Sequence, residues 1–412
     1  MIDIKLLREN PQKFQQSAKD KGIKIDVEHV LELDNKFRGL DSMAQKLREE
    51  RNRASSEKNI EKGKEIKLKL EKQENALRAV EQELKEWLYK IPNPAKKDVK
   101  VGKDERENQV VKTFGKITKF DFKPKDHLDL GTALGIIDIE SAAKVSGTRF
   151  AYLKNDGVLL ELALIQFAFD ILIKEGFEPI IPPVLIKKEI TEGLGYWQAG
   201  GHEDYFWINS GEGEGYYLIG TAEHSIIPMY KDKILNGKEL PKRIVAFSSA
   251  FRREAGSYGK DTRGILRVHQ FDKIEMVSLV KEGEDDKEQD YLISLEEKFF
   301  RLLEIPYQIL KMCTADTGFV QARKYDLEAW IPSENKFREM TSASTVTDFQ
   351  SRRLNIKYQQ GNEKKYAYVL NATGLAIGRT IIAILENYQQ IDGSVKVPKV
   401  LQKYLGKSVI KQ

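Results

Sequence analysis

The residues with the clearest chemical potential lie between positions 244 and 276, where arginines and carboxylates flank a glycine-rich loop. The charged and imidazole side chains on either side of the loop are Arg252, Arg253, Glu254, Arg267, His269 and Glu275. An arginine fork matches the oxygens of a phosphate, and a carboxylate can bind an ammonium group. The stretch therefore suits a ligand that carries both phosphate and amine. A surface hairpin with paired charges is the alternative, because the sequence FRRE alone is short.

The surrounding pattern predicts two strands that hold these side chains in one cleft. Ile244, Ala246 and Phe251 fit a first strand, and residues 265–276 alternate apolar and polar side chains as a second strand does. The loop between them contains Gly256, Gly259, Lys260, Asp261, Arg263 and Gly264. A hairpin of this form would direct arginine and glutamate side chains toward the same ligand.

A second polar motif, Thr221-Ala222-Glu223, follows a short predicted strand at residues 217–220. A hydroxyl and a carboxylate at the end of a strand could hold an ammonium group. A tripeptide is not specific by itself, so its meaning depends on the rest of the chain.

The first quarter of the chain predicts a helical arm. Asn10 and Pro11 are typical of a helix start, and Gly22 of its end. A series of mostly apolar residues at spacings of three and four follows, namely Val30, Leu33, Phe37, Leu40, Ala44, Leu47, Arg51 and Ala54. After Gly63 a second series contains Ile66, Leu70, Gln73, Leu77, Val80, Leu84, Trp87 and Ile91. Two such helices with a short polar turn predict an antiparallel coiled coil, about 43 Å long for roughly 29 residues per helix.

The charge on this arm is uneven. Residues 46–72 hold ten lysines or arginines and six glutamates, which is an excess of four in a chain whose net charge is +5. A rod with a basic end fits the phosphates of RNA. A solvated coiled-coil surface fits the same composition, so the arm by itself leaves both interpretations open.

Length and composition indicate a globular protein of two or more domains. The chain has 412 residues, of which 41% are hydrophobic and 32% charged. The longest apolar run, residues 158–169, is broken by Glu161 and Gln166, and the N-terminus MIDIKLLREN lacks the apolar segment of a signal peptide. The single cysteine, Cys313, excludes an internal disulfide framework and a cysteine-rich zinc site, and we expect it to be buried. These features predict a cytoplasmic protein.

A proline-containing linker at residues 91–108 precedes one mixed α/β domain that extends to the C-terminus. Within that domain, residues 159–174 predict a helix that is apolar on nearly every side. Gly176 ends it, and a strand follows at 177–181. Such a helix is buried in a core or in an interface, and spacing alone favours the core of a monomer.

Taken together, these stretches resemble one family. The string FRREAGSYGKDTRGILRVHQFDKIEM is similar to motif 2 of the class II aminoacyl-tRNA synthetases, and in particular to that of the seryl-tRNA synthetases. EGFEPIIPPVLI resembles motif 1, with Pro183 in the characteristic proline position, and GLAIGRT has the form of motif 3. The linker, an entry segment at residues 126–153, and the strings KFREMTSAST, LNATG and ENYQQIDGSVKVP also match the bacterial-type members. The resemblance covers essentially the whole chain.

The resemblance implies an α+β fold. It predicts a class II antiparallel β-sheet flanked by helices, with an N-terminal antiparallel α-helical coiled-coil arm. Residues 1–105 would form the tRNA-binding arm and linker, and residues 106–412 the catalytic domain. Motifs 1, 2 and 3 would lie around residues 159–183, 244–276 and 369–390.

The implied activity is the ATP-dependent ligation of serine to tRNA. Serine and ATP would give seryl-adenylate and pyrophosphate, and the seryl group would pass to the terminal adenosine of tRNA(Ser), or of tRNA(Sec) where present. ATP with Mg²⁺ and a homodimer belong to the same expectation. One alternative is a related amino acid:carrier-protein ligase, but such proteins lack the full arm and use a cysteine-containing zinc site. A catalytically inactive RNA-binding paralogue is the other, although the expected site residues are all present.

The resemblance also assigns residues. ATP would be bound by Arg252, Arg253, Glu254, Arg267, Phe271, Glu339, Met340, Thr341, Ser342 and Arg379, of which Arg252, Arg379 and Glu339 would be catalytic. Glu339 and Ser342 would hold Mg²⁺ through ATP. Serine would be bound by Thr221, Ala222, Glu223, Arg252, Glu275 and Thr373, where many members have serine in place of Thr373. The tRNA would meet Arg51, Arg53, Lys58 and Lys62 on an arm that is somewhat shorter than in many relatives. For His269 we predict a structural hydrogen bond, since the reaction needs no protein base.

Overall fold

A computed structural model of the chain describes residues 1–196, 201–209, 211, 215–255 and 263–412. These residues divide into two compact units, Met1–Pro94 and Ala95–Gln412. The linker predicted at residues 91–108 spans the division. None of the described helices is both long and apolar enough to cross a membrane.

The first unit is helical. It consists of α1 (Ile4–Glu9), α2 (Pro11–Asp20), α3 (Val27–Ser56) and α4 (Ile60–Tyr89). The predicted start of α2 is confirmed, because the side chain of Asn10 accepts the backbone N–H of Lys13 and Pro11 opens the helix. Asn59 caps α4 in the same way, so Gly63 lies inside the first turn of that helix and the connection consists of residues 57–59.

Helices α3 and α4 pack antiparallel as the predicted coiled coil. Val30, Leu33, Ala44 and Ala54 of α3 and Ile66, Leu70, Val80 and Leu84 of α4 are buried along the seam. Polar contacts fix the register: Arg48 forms an ion pair with Glu74 at 2.9 Å, and the Gln73 amide donates to the carbonyl of Leu40 at 3.0 Å. Each helix has 30 residues and is therefore about 45 Å long.

The second unit is built on an eight-stranded sheet within the described residues. Its strands are β1 (Gln109–Phe114), β4 (Glu178–Ile180), β9 (Lys242–Phe251), β10 (Gln270–Val280), β11 (Tyr307–Lys311), β12 (Arg323–Ile331), β13 (Lys336–Thr347) and β16 (Tyr368–Ala376). Their order across the sheet is β1-β11-β12-β13-β16-β10-β9-β4. All neighbours pair antiparallel except β4 and β9, which are parallel. The predicted antiparallel class II sheet with an N-terminal helical arm is confirmed.

Smaller sheets complete this unit. They contain β2 (Ile137–Asp138) with β3 (Tyr152–Leu153), β5 (Leu185–Lys187) with β6 (Trp207–Ile208) and β7 (Tyr216–Leu218), β8 (Ile234–Asn236) with β14 (Lys357–Gln360) and β15 (Glu363–Tyr366), and β17 (Val395–Lys396) with β18 (Val409–Ile410). The helices are α5 (His127–Ala133), α6 (Ile139–Ser146), α7 (Asp156–Lys174), α8 (Lys188–Leu194), α9 (Glu223–Ile226), α10 (Asp285–Leu302), α11 (Thr314–Thr317), α12 (Phe349–Leu354), α13 (Ile377–Tyr388) and α14 (Gln402–Leu405).

Helices α7, α10 and α13 pack against the large sheet and form its hydrophobic core. The predicted apolar helix is α7, which ends before Gly176 at a φ of +86°. Leu160, Leu164 and Phe167 of α7 are fully buried. The other side of α7 is exposed to solvent, and the exposed fraction is 56% for Leu162 and 49% for Ile173. The core therefore accounts for one side of α7 and leaves the other without cover in a single chain.

The second strand of the predicted hairpin begins later in the sequence than expected. The prediction placed it from residue 265, whereas β10 begins at Gln270. Gly264 has a φ of +71°, and the backbone N–H of Ile265 donates to the imidazole of His127 at 3.3 Å. These contacts draw residues 264–268 away from β9 and against α5. Alternation in the sequence could not reveal this, because Ile265, Leu266 and Val268 are buried as strand residues would be.

The later part of the linker belongs to the second unit and lies near the single cysteine. Cys313 is fully buried, as predicted, and its thiol lies 3.3 Å from the carbonyl oxygen of Asp104. A Cβ atom at Gly102 would lie 2.8 Å from the sulfur, so only glycine fits there.

Candidate active site

Two β-bulges decide which side chains reach the open face of the large sheet. On β13, Ser342 pairs with Asp326 of β12, and Glu339 pairs with Glu328. Asp326 and Glu328 are two residues apart, so their partners share a face even though Glu339 and Ser342 are three apart. Met340 is the extra residue. Simple alternation would have placed Glu339 and Ser342 on opposite faces.

The second bulge lies in β16 at Gly374. Ile274 of β10 pairs with Leu375, and the next residue, Glu275, pairs with Thr373. A Cβ atom at Gly374 would approach the side chain of Ile274 to 3.0 Å. The bulge sets Glu275 directly opposite Thr373, whose hydroxyl oxygen lies 3.5 Å from the carboxylate.

A cavity of about 510 Å³ opens on this face. Most of the predicted ligand residues line it: Thr221, Glu223, Arg252, Glu254, Arg267, Phe271, Glu275, Glu339, Met340, Thr341, Ser342, Thr373 and Arg379. Two predicted residues do not. Ala222 is fully buried outside the wall, and the side chain of Arg253 is exposed while its backbone N–H donates to the carbonyl of Asp204 at 2.8 Å.

One end of the cavity is rich in guanidinium groups. Arg252 donates from Nε to the carbonyl of Gly220 at 3.1 Å, and its guanidinium carbon lies 5.4 Å from the ring centre of Phe271. Arg379 forms an ion pair with Glu339 at 3.1 Å, and Arg267 forms one with Glu254 at 3.3 Å. Among the described residues, none accepts a hydrogen bond from the terminal nitrogens of Arg252. That fork is available to an anion in the cavity.

Glu339 is ionised despite its position. Burial would raise the pKa of its carboxyl, but the charges of Arg379, Lys324 and Arg252 outweigh burial and lower the pKa to about 2. Glu339 and the Ser342 hydroxyl therefore offer hard oxygen donors on one face, which is the donor type that Mg²⁺ prefers. The residues present fit a magnesium ion carried by a phosphate ligand.

The opposite end of the cavity is lined by carboxylates. Glu223 is only 3% exposed, and burial together with the charge of Glu275 raises its pKa to about 7. Glu275 is 2% exposed and forms an ion pair with Lys273 at 2.5 Å. The hydroxyl oxygen of Thr221 is buried and has no hydrogen-bond partner among the described residues. This end has the acceptors that an ammonium group needs.

Glu254 has a strained backbone, with a φ of +50° that non-glycine residues rarely adopt. Arg149 donates from Nη1 to the carbonyl of Glu254 at 3.1 Å and so helps hold this conformation. The result is a carboxylate fixed at the mouth of the cavity beside Arg267.

His269 makes the structural contacts that were predicted for it. Its Nδ1 atom lies 3.0 Å from the carbonyl oxygen of Arg252, and its ring packs against Phe150 and Phe206 at centroid distances of 5.3 and 5.8 Å. It joins the two strand ends of the hairpin and does not line the cavity.

Several lining residues were not predicted, namely Tyr196, Tyr205, His224, Lys273, Gln321, Lys324 and Asn371. Lys273 could have been found, because it precedes Glu275 by two residues in a strand and must share its face. Lys324 and Tyr196 come from distant segments that only the fold brings to the cavity. Asn371 has a buried side-chain nitrogen with no partner among the described residues, which marks it as a ligand-facing group.

Part of the prediction falls outside the described residues. Gly256, Gly259, Lys260 and Asp261 of the motif 2 loop belong to residues 256–262, and the acidic loop at 211–215 is described only at Gly211 and Gly215.

Comparisons with known proteins address the whole chain. Residues 1–95 match the sequence model of the seryl-tRNA synthetase N-terminal domain, and residues 206–388 match that of the tRNA synthetase class II core domain (G, H, P, S and T). The serine–tRNA ligase of Dictyoglomus turgidum is 42% identical over 425 aligned positions, which cover 100% of this chain and 99% of the relative. The chain belongs to the seryl-tRNA synthetase family.

Solved structures of the seryl-tRNA synthetase family agree with this placement. The seryl-tRNA synthetase of Pyrococcus horikoshii, solved in complex with ATP, superposes with a TM-score of 0.92 at 39% identity and covers 100% of this chain and 99% of its own. The cytoplasmic serine–tRNA ligase of Naegleria fowleri, solved with AMP, gives a TM-score of 0.90 at 34% identity with the same coverage. Arm and catalytic core are thus both typical of the seryl-tRNA synthetase family.

Proposed function

We propose that this chain activates L-serine with ATP and transfers the seryl group to the terminal adenosine of tRNA(Ser), or of tRNA(Sec) where that tRNA exists. The observation that carries the proposal is a single cavity whose wall holds the guanidinium groups of Arg252, Arg267 and Arg379 together with the buried carboxylates of Glu223 and Glu275. A carboxylate oxygen of serine attacks the α-phosphorus of ATP and pyrophosphate leaves. A ribose hydroxyl of the tRNA then attacks the seryl carbonyl and AMP leaves. Neither step requires a protein nucleophile.

The guanidinium end suits the triphosphate. Phosphoryl transfer needs alignment and neutralisation of charge on the phosphoryl oxygens. Arg252 would hold the α-phosphate together with the serine carboxylate, because no described residue accepts a hydrogen bond from the terminal nitrogens of its guanidinium group. Arg379 and Arg267 would grip the remaining phosphates, and Glu254 and Phe271 would receive the adenine by hydrogen bonding and stacking. We expect Arg253, Met340 and Thr341 to lie beside the bound ATP.

Glu339 and Ser342 would hold the Mg²⁺ ion that accompanies ATP. A bound Mg²⁺ ion neutralises phosphate charge and orients the triphosphate. The low pKa of Glu339 supports the assignment, since the carboxylate is charged at neutral pH.

The carboxylate end suits serine. Thr221 and Glu223 would bind the ammonium group, with the backbone at Ala222 shaping the turn between them. Glu275 and Thr373 would bind the side-chain hydroxyl. A pocket that satisfies a hydroxyl rejects an analogue without one, because its buried polar groups are then left unpaired.

We assign tRNA binding to the arm within residues 1–105 and catalysis to residues 106–412. At the tip, Arg51, Arg53, Lys58 and Lys62 are exposed, and no described residue forms an ion pair with any of them. Reversing all four charges to glutamate should weaken tRNA binding and flatten its salt dependence while serine-dependent pyrophosphate exchange persists. The matched control reverses Lys36, Arg38, Arg78 and Lys85, which are exposed nearer the base of the arm. Equal losses of charging in both variants would refute the assignment to the tip.

We also propose that the enzyme is a cytoplasmic homodimer that pairs through the uncovered side of α7. Leu159, Leu162 and Ile173 are exposed there, and Ile181 after β4 is 82% exposed. Burying such side chains between two copies would remove apolar area from water. Light scattering at working concentration should give twice the 47.3 kDa chain mass, and Leu162→Asp should shift it toward the monomer. A fully active monomer would contradict this part of the proposal.

The decisive experiment for the activity is ATP–pyrophosphate exchange with a panel of amino acids, followed by charging of tRNA(Ser). Serine should support exchange best. Loading of a carrier protein without tRNA charging would favour the carrier-protein ligase. No exchange with any amino acid would favour an RNA-binding paralogue.

A further inference from the structure

The phenol of Tyr196 occupies one oxygen of the buried carboxylate at the serine end of the cavity. Its hydroxyl donates to Oε1 of Glu223 at 2.5 Å, and the side-chain amide of Gln350 lies 3.4 Å from the same oxygen. Among the described residues, none donates to Oε2 of Glu223. The carboxylate therefore has one side satisfied by the protein and one side open.

Local structure fixes the tyrosine in this position. Helix α8 ends at Leu194, and Gly195 follows with a φ of +89°. A Cβ atom at Gly195 would lie 3.0 Å from the ring of Phe349, so the chain turns where only glycine fits easily. The amide of Gln350 also donates to the carbonyl of Leu194 at 3.3 Å. One residue of α12 thus ties the end of α8 to Glu223, and Tyr196 is delivered beside the carboxylate.

The other charged groups around Glu223 are few. Glu275 opposes its ionisation, Lys273 favours it, and both come from β10. On its own element, the neighbouring His224 stays neutral, because burial and the charges of Arg252 and Lys273 lower its pKa far below the usual range. Tyr205 contacts His224 at 3.3 Å and does not reach the carboxylate. The phenol and the amide are the groups that hydrogen-bond the ionised form of Glu223.

We propose that Tyr196 is a positioning residue for serine binding, which stabilises the ionised form of Glu223 and reserves its second oxygen for the ammonium group. The inference rests on the proposed role of Glu223 in binding serine. A phenol that donates to a carboxylate stabilises the charged form, and a hydrogen bond to a charged group is among the stronger kind. Because the phenol takes Oε1, the ammonium group has one direction of approach.

The test is the pH dependence of the serine KM in pyrophosphate exchange between pH 6 and 8.5. The variant Tyr196→Phe removes one oxygen atom and keeps the ring. We expect the pH below which the serine KM rises to move upward by about one unit, so that the KM ratio of variant to wild type approaches tenfold at pH 6, is roughly fivefold at pH 7 and falls toward one at pH 8.5. The ionisation of free serine affects both enzymes equally and cancels in this ratio.

Tyr205→Phe is the matched control, because it removes a buried phenol from the same pocket without a bond to Glu223. Its serine KM should keep the wild-type pH profile, even if its value changes uniformly. In a Glu223→Gln background, Tyr196→Phe should produce no pH-dependent change, since no carboxyl remains to titrate. Melting temperatures of all variants show whether each is folded.

The outcomes distinguish the proposed activity from the role of Tyr196. Absence of serine-dependent exchange in the wild type would overturn the proposed function itself. Exchange with a serine KM that is flat from pH 6 to 8.5 would remove Glu223 from serine binding. A normal wild-type profile that Tyr196→Phe leaves in place, or a uniform fall in KM at every pH, would overturn the inference about Tyr196 alone.

Discussion

Glu223 and Glu339 face the same cavity, yet the pKa values of their carboxyl groups are shifted in opposite directions. Burial disfavours the ionised form of both. At Glu339 the neighbouring arginines and Lys324 outweigh burial and lower the pKa to about 2. At Glu223 burial and the charge of Glu275 outweigh the opposing effects of Tyr196, Lys273 and Gln350, and the pKa rises to about 7. The cations beside Glu339 therefore keep it ionised, whereas Lys273 only partly offsets the charge around Glu223, and a bound ammonium group would supply the rest.

The largest effect should follow from removing a cation at the phosphate end. Arg252→Ala and Arg379→Ala should each lower the rate of pyrophosphate exchange at least a hundredfold, because a charge-assisted contact to the reacting phosphates contributes ~3 kcal/mol or more. Exposed lysines away from the cavity, such as Lys287→Ala, provide the control. Near-normal exchange in either arginine variant would show that the residue is misassigned.

The next largest effect concerns the hydroxyl pair at the serine end. Alanine should be rejected about 10⁴-fold, since it leaves Glu275 and Thr373 unpaired, whereas threonine is excluded only by overpacking of roughly 1–3 kcal/mol. Glu275→Gln should raise the serine KM and narrow the gap between serine and alanine. The measurement is kcat/KM for exchange with serine, threonine and alanine. Better activation of alanine than of threonine would argue against Glu275 as the group that reads the hydroxyl.

The pH dependence of substrate binding should differ between the two ends. Below about pH 7 Glu223 takes up a proton and loses its attraction for ammonium, so the serine KM should rise roughly tenfold per pH unit. The ATP KM should change far less between pH 6 and 8, because Glu339 stays ionised throughout. Glu223→Gln should give a serine KM that is higher but nearly independent of pH. If the serine KM and the ATP KM rose by the same factor as the pH falls, the predicted difference between the two ends of the cavity would be wrong.

The smallest effect is on stability. The pKa of Glu223 is raised in the folded chain, so its ionisation costs stability progressively from about pH 4.5 to 7. Glu223→Gln should therefore raise the melting temperature, relative to wild type, by a few degrees more at pH 8 than at pH 5. The pKa of Glu339 is lowered, and its stabilising contribution is lost only as pH falls from about 4.5 to 2. The effect of Glu339→Gln should thus be equal at pH 5 and 8, and a change between them would contradict the assigned shift.

Local sequence was sufficient for the coiled coil through its spacing, for the start of α2 through Asn10 and Pro11, for the burial of Cys313 through its residue type, and for the apolar helix α7. It failed where tertiary contacts override alternation, as at residues 265–269, where His127 and Gly264 pull the chain from the sheet. In the cavity, the family resemblance of short sequence strings identified residues of β10, β13 and β16 and those that follow β9. Tyr196, Lys324 and Asn371 could not be assigned in this way, since their partners lie far away in sequence. The roles of all these residues remain predictions for the experiments above.

The extra residue in β13 has a consequence for how this strand can change in length. Substitutions alter which side chain stands on each face, but only an insertion or a deletion alters the face itself. Deleting Met340 would leave Glu339 opposite Glu328 in unbroken alternation, so the carboxylate would still point into the cavity. Inserting a residue between Glu339 and Ser342 would set the two four residues apart, and alternation would then keep them on one face only by moving Glu339 from Glu328 to a position opposite Trp330, away from Ser342. At this point β13 should therefore tolerate the loss of a residue better than the gain of one.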